Sequence, residues 1–95
     1  MKGYVIFQEN ISDQAAFDHY KTMSPQSIEK YGGIFIVRGG EIAKLEGNFE
    51  FQRVVVIEFP SVKQARAWYN SDLYSDAKDV RLKASQGDAI IVSGI

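Results

Sequence analysis

The hydrophobic pattern divides the chain into strands and helices before any chemistry is considered. Tyr4-Val5-Ile6-Phe7 is a β-branched and aromatic run between polar residues, which predicts a strand over Gly3 to Gln8. Both faces of that strand are apolar, so both are expected to be covered. Ser12 or Asp13 can cap a helix, and Phe17, Tyr20 and Met23 or Ser24 follow at helical spacing. Pro25 lacks an amide hydrogen and is expected to divide this helix, with Ser24 as a fresh cap. The second segment runs through Ile28 and Tyr31, and Gly32 supplies a left-handed stop. Gly33 to Val37 reads as a second strand, again apolar on both faces.

Arg38-Gly39-Gly40-Glu41 predicts a tight turn, and Ile42 to Glu46 alternates as a short return strand. Phe51 to Phe59 is the strongest strand, with Arg53, Val55, Ile57 and Phe59 on one face and Val54, Val56 and Glu58 on the other. Ser61 and Gln64 form a capping box for a helix carrying Val62, Ala65, Trp68 and Tyr69. Ser71 caps a further helix whose apolar face is read as Leu73, Ala77, Val80 and Ala84, stopped by Gly87. Ala89 to Val92 is the last strand. The order is βαββαβ plus one short hairpin strand. That is an α+β, ferredoxin-like arrangement, an antiparallel sheet with its helices on one face.

That arrangement leaves one sheet face open, yet three strands are apolar on both sides. A single 95-residue domain (1–95) has no spare element to cover the second face. Exposed apolar patches of that size are uncommon on soluble monomers. A homodimer through the open sheet face is therefore expected, most simply with two-fold symmetry.

Composition narrows the chemistry. There is no cysteine and one histidine, His19, so neither a thiolate nucleophile nor a cysteine-ligated or multi-histidine metal site is expected within one chain. Eleven Lys and Arg against twelve Asp and Glu give a net charge of −1, which argues against nucleic acid as a partner. No apolar run approaches a membrane span or a signal-peptide core, so a cytoplasmic location and no membrane partner are expected. No low-complexity segment or short repeat appears.

Polar residues on apolar strands are the candidates for chemistry. Arg38 and Arg53 could converge on a carboxylate or enolate oxygen, or could pair with Glu46 or Glu58. Glu58 could be a general base with a raised pKa, or half of an ion pair. His19 falls away from the Phe17–Tyr20 side of its helix. It reads as a surface or groove residue, with general acid–base work or haem ligation as the sharper alternatives. Trp68, Tyr69 and Tyr74 could line a pocket or pack the core. Arg81 could reach Glu58 or Asp76. Gly39-Gly40 lacks a phosphate-loop spacing, and no GxSxG positions a serine.

The segments Tyr31-Gly-Gly-Ile-Phe-Ile-Val-Arg-Gly-Gly40, Leu45-Glu46-Gly47, Arg53 to Ser61, Ala67-Trp-Tyr-Asn-Ser71 and Tyr74 together resemble a family of short, mainly bacterial proteins known only as a domain of unknown function. Asn70 departs from the acidic residue expected before Ser71. The resemblance spans essentially the whole chain and implies a dimeric α/β barrel, but it carries no activity. Other members of that superfamily are cofactor-free monooxygenases, isomerases, haem-degrading enzymes and stress-response proteins. Two readings follow. One is a cofactor-independent enzyme, oxygenase- or isomerase-like, that moves a proton on a small aromatic, lactone or keto compound. Its catalytic candidates are His19, Glu58 and Tyr69, and its ligand-binding candidates Arg38, Arg53, Trp68 and Tyr74, with no metal or cofactor. The other is a non-catalytic dimer that binds a small molecule or acts as a scaffold.

Overall fold

Alternation along the strands decides which side of the sheet is buried. A computed structural model describes residues 1–95. Its elements are β1 (Gly3–Ile11), α1 (Gln14–Lys30), β2 (Ile34–Arg38), β3 (Arg53–Phe59), α2 (Val62–Tyr69), α3 (Asp72–Ala84) and β4 (Ser85–Ser93). The four strands form one antiparallel sheet in the order β2-β3-β1-β4, the ferredoxin-like topology. In β1 the odd positions from Gly3 to Glu9 are buried, and in β3 so are Val55, Ile57 and Phe59. These odd positions face the helices, where they meet Phe17, Ile28, Ala65, Trp68 and Ala77 in one core. The molecule measures 33 × 32 × 16 Å, which leaves room for one helix layer on one sheet and nothing beyond.

The even positions of β1, β3 and β4 make up the other face, and an irregularity in β2 between Phe35 and Val37 brings Val37 onto it. Val37, Val56, Ile6 and Ile90 stand in register across all four strands, beside a second row of Ile34, Glu58, Tyr4 and Val92. Ile34 is 63% exposed, Ile90 51% and Val92 43%.

Capping chemistry fixes the helix starts as the sequence predicts. The Asp13 carboxylate accepts from the Ala16 amide, Ser61 Oγ from Gln64 and Ser71 Oγ from Tyr74, at 3.0–3.2 Å. Gly32, at φ 79°, lets the chain leave α1.

Four expectations are corrected. Pro25 does not divide α1, which is one helix of 17 residues. Tyr20, Ser24, Ser27 and Ile28, on both sides of the proline, are all buried, and their packing outweighs the lost amide bond. Ile42 to Glu46 forms no strand. Alternation needs a partner edge, and here Leu45 is 93% exposed while the Gly39 amide donates to the Val54 carbonyl and closes β2 directly onto β3. The buried face of α3 is Tyr74, Ala77, Arg81 and Ala84: Ala77 and Ala84 are as expected, while Tyr74 and Arg81 take the places of the exposed Leu73 and the partly buried Val80. Gly87 does not stop α3. It lies inside β4, opposite Glu9, where an added Cβ would collide with the Gln8 carbonyl. No helix is long and apolar enough to cross a membrane.

Candidate functional site

The chemistry gathers where the helix-facing residues of the sheet turn polar. The β1 sequence Val5, Phe7, Glu9 keeps one parity, so the fold drives a carboxylate into the core side; Glu9 is 2% exposed. Its cross-strand partner on β3 is Arg53, and the neighbouring row brings Arg38 beside Val55 and Phe7. These residues and α1 enclose a narrow cleft between sheet and helix, walled by Phe17, Tyr20, Ser24 and Phe35. The concavity, mouth included, is about 290 Å³, and its interior has room for about one water.

The two arginines are held by aromatic faces. The Arg38 guanidinium lies 4.2 Å from the Phe35 ring centre and that of Arg53 lies 5.3 Å from Phe17. Neither forms an ion pair within 4.0 Å, and Arg53 Nε is buried without any hydrogen-bond partner. Gly39, at φ 70°, has no side chain where a Cβ would strike Arg53 Nη1.

Glu9 is poorly satisfied. Its one donor is Ser85 Oγ at 3.4 Å, and that hydroxyl has a better acceptor in the Arg81 carbonyl at 2.8 Å. Loss of hydration raises its pKa above the ordinary carboxylate value, and the charges of Arg81 and Arg53 offset this only in part. Behind Glu9 runs a buried chain of hydroxyls. Arg81 Nε donates to Tyr74 Oη at 3.1 Å, and the Tyr74 and Tyr20 hydroxyls are 2.9 Å apart. Burial pushes the Tyr20 hydroxyl well up and raises Tyr74, where Arg81 opposes the rise. Burial alone would lower Arg81, but its contacts with Tyr74 keep it above its ordinary value.

Of the residues singled out from sequence, only Arg38 and Arg53 share this cleft. His19 is exposed on the outer side of α1. Glu58 lies on the open sheet face, with its carboxylate 3.2 Å from Lys2 Nζ. Trp68 is fully buried, its indole donates to Ser27 Oγ at 3.0 Å, and its ring centre is 4.1 Å from that of Tyr74. Tyr74 reaches the cleft only through Tyr20. Tyr69 is half-buried, 3.5 Å from Arg81 Nη2, and borders a separate shallow groove with Arg66 and Val5. Glu9, Tyr20, Ser24 and Arg81 were missing from the sequence reading as site residues. Strand parity was the available signal for Glu9, and the seven-residue step from the buried Tyr74 was the signal for Arg81.

A model of the family described as Domain of unknown function (DUF1330) matches residues 2–95. The chain belongs to that family. Among curated proteins none matches significantly. A solved protein of unknown function from Rhodopseudomonas palustris superposes with a TM-score of 0.80 at 18% identity, over 99% of this chain and 82% of that one. A Nitrosomonas europaea protein provisionally assigned to the antibiotic biosynthesis monooxygenases gives 0.60 at 18% identity, over 100% and 99%. An ethyl tert-butyl ether d (ethd) family protein from Bacillus halodurans gives 0.60 at 13%, also over 100% and 99%. At these identities the likenesses establish the ferredoxin-like fold and nothing finer, consistent with one fold hosting many activities.

Proposed function

We propose that this DUF1330 member is a homodimeric, cofactor-independent enzyme that moves a proton on a small carbonyl compound held in the cleft between α1 and the sheet. The observation that carries this reading is the convergence, in one aromatic-walled cleft, of an under-bonded carboxylate with a raised pKa and two guanidiniums without ion-pair partners. A carboxyl group whose pKa moves toward neutrality is matched to proton abstraction from carbon. Guanidiniums above it stabilise the oxygen on which negative charge develops. Arg38 is exposed and stacked on Phe35, so a guest larger than water enters as that long side chain swings off the ring and its guanidinium closes back onto the guest. The nearby Nitrosomonas protein lends the same direction, since its assignment is to an enzyme family of this fold.

The homodimer is supported by the exposed apolar residues of the open face, Ile34, Val37, Ile90 and Val92. That face is opposite the cleft, so each protomer carries its own complete site. The test of the enzyme reading is deuterium uptake at carbon. Pyruvate, acetone and acetophenone are incubated with the protein in D2O and followed by proton NMR. The wild-type protein exchanges the α-protons of at least one of them above the buffer rate. Glu9→Gln lowers that rate by about a hundredfold or more. Equal rates for both proteins, or no exchange with any compound, overturn it.

A further inference from the structure

Counting hydrogens in the buried hydroxyl chain gives a direction to each bond. Arg81 has only donors, so Tyr74 Oη accepts from Nε. The Tyr74 hydrogen then has one acceptor in reach, Tyr20 Oη at 2.9 Å, because Tyr74 is fully buried and touches no other acceptor. The reverse orientation would leave the Tyr74 hydrogen buried and unpaired. Tyr20 Oη therefore accepts from Tyr74, and its own hydrogen is free. Tyr20 forms part of the cleft wall with Glu9, Arg38 and Arg53, so that hydrogen has the cleft to point into.

The cleft thus offers three different functions to one guest. Two guanidiniums suit a carboxylate, which arginine binds in a planar fork. A fixed O–H donor suits a carbonyl oxygen. A carboxylate of raised basicity suits an adjacent C–H. The narrow space and the flanking Phe17 and Phe35 rings favour a small, flat molecule. We propose that the cleft takes a small α-keto carboxylate, with Arg38 and Arg53 on its carboxylate and Tyr20 as the hydrogen-bond donor to its keto oxygen. This rests on the proton-transfer reading above. Glu9 removes a proton from the carbon next to the keto group. The C–H electron pair becomes the C=C π bond, and the carbonyl π pair moves to the oxygen, which the Tyr20 hydroxyl stabilises as an enolate. Glu9 exchanges that proton with solvent and returns one to carbon, so nothing is oxidised and no co-reactant beyond water is consumed. Tyr74 and Arg81 are positioning residues that aim the Tyr20 hydroxyl.

The test compares pyruvate with methyl pyruvate, and wild type with Tyr20→Phe and Tyr74→Phe, in the same deuterium-exchange assay. Circular dichroism confirms that each variant is folded. Tyr20→Phe is expected to lower kcat about a hundredfold with KM nearly unchanged, as for loss of one oxyanion donor. Tyr74→Phe, which keeps the Tyr20 hydroxyl but frees its direction, lowers kcat by a smaller factor. Methyl pyruvate raises KM at least tenfold. If Glu9→Gln is inactive while Tyr20→Phe exchanges at the wild-type rate, the role of Tyr20 is wrong and the proton-transfer reading stands. If acetone and methyl pyruvate exchange as well as pyruvate, the carboxylate assignment is wrong and again the broader reading stands. If no compound exchanges, both fall.

Discussion

Ile90→Asp places a charge at the end of the apolar row Val37–Val56–Ile6–Ile90, and its effect on assembly can be worked from exposure. Fully burying an isoleucine is worth about 1.5–3 kcal/mol. Ile90 is already about half covered within the protomer, at 51% exposure. Covering the remainder against a second copy contributes about 1 kcal/mol, and a two-fold interface counts the residue twice. Removing it therefore costs a dimer about 2 kcal/mol, or about 30-fold in the dissociation constant. Desolvation of the new carboxylate adds to that. The protomer itself loses little, because the side chain is not part of the core. Sedimentation velocity across a concentration series measures the effect. The wild type is expected to sediment at twice 10.7 kDa at micromolar concentration, and the variant to dissociate there. A wild-type protein that is monomeric under those conditions, or a variant with unchanged association, refutes the reasoning. Since the cleft lies on the opposite side of the sheet, proton exchange by the monomeric variant should persist.

Three further outcomes follow from the core and the cleft. Ser27→Ala strands the buried indole N–H of Trp68 and should cost about 1–3 kcal/mol, read as a fall in Tm of about 4–8 °C for each kcal/mol. Gly39→Ala forces a Cβ onto the Arg53 guanidinium at a positive φ, and should destabilise by about 1 kcal/mol or more in urea unfolding, with loss of proton exchange. Glu9 binds its proton more tightly folded than unfolded. Its contribution to stability is therefore complete below the unfolded value of 4.5 and is lost as pH rises through the higher folded value. Glu9→Gln should remove that part of the pH dependence, as measured by denaturant unfolding at a series of pH values.

Much of the fold was legible because local signals and packing agree. Ser61 and Ser71 cap helices where their spacing says they should, and β3 keeps the predicted parity from Arg53 to Phe59. Failures arose where tertiary contacts override local preference. Pro25 sits in an intact helix because its neighbours are buried on both sides, and Ile42 to Glu46 has no strand to pair with. At the site, Arg38 and Arg53 stood out as charges on apolar strands. Glu9 lies beyond the predicted first strand, which stops at Gln8, although one more step along the Val5–Phe7 alternation reaches it. The burial of Arg81 is hidden because the apolar pattern of α3 favours Val80 over its neighbour Arg81 for the core face. Neither sequence distance nor composition shows that Tyr20, Tyr74 and Arg81, drawn from α1 and α3, meet in a hydroxyl chain.

The central claim is that Glu9 is an under-bonded carboxyl facing a site for a small carboxylate. Carbon-13 NMR of the Glu9 carboxyl through a pH titration tests this most directly, with and without oxalate as a flat, anionic probe. Its midpoint is predicted above 4.5 in the free protein and higher again with oxalate, whose charge would disfavour ionisation beside it. A midpoint at or below 4.5 that oxalate does not move would contradict the account.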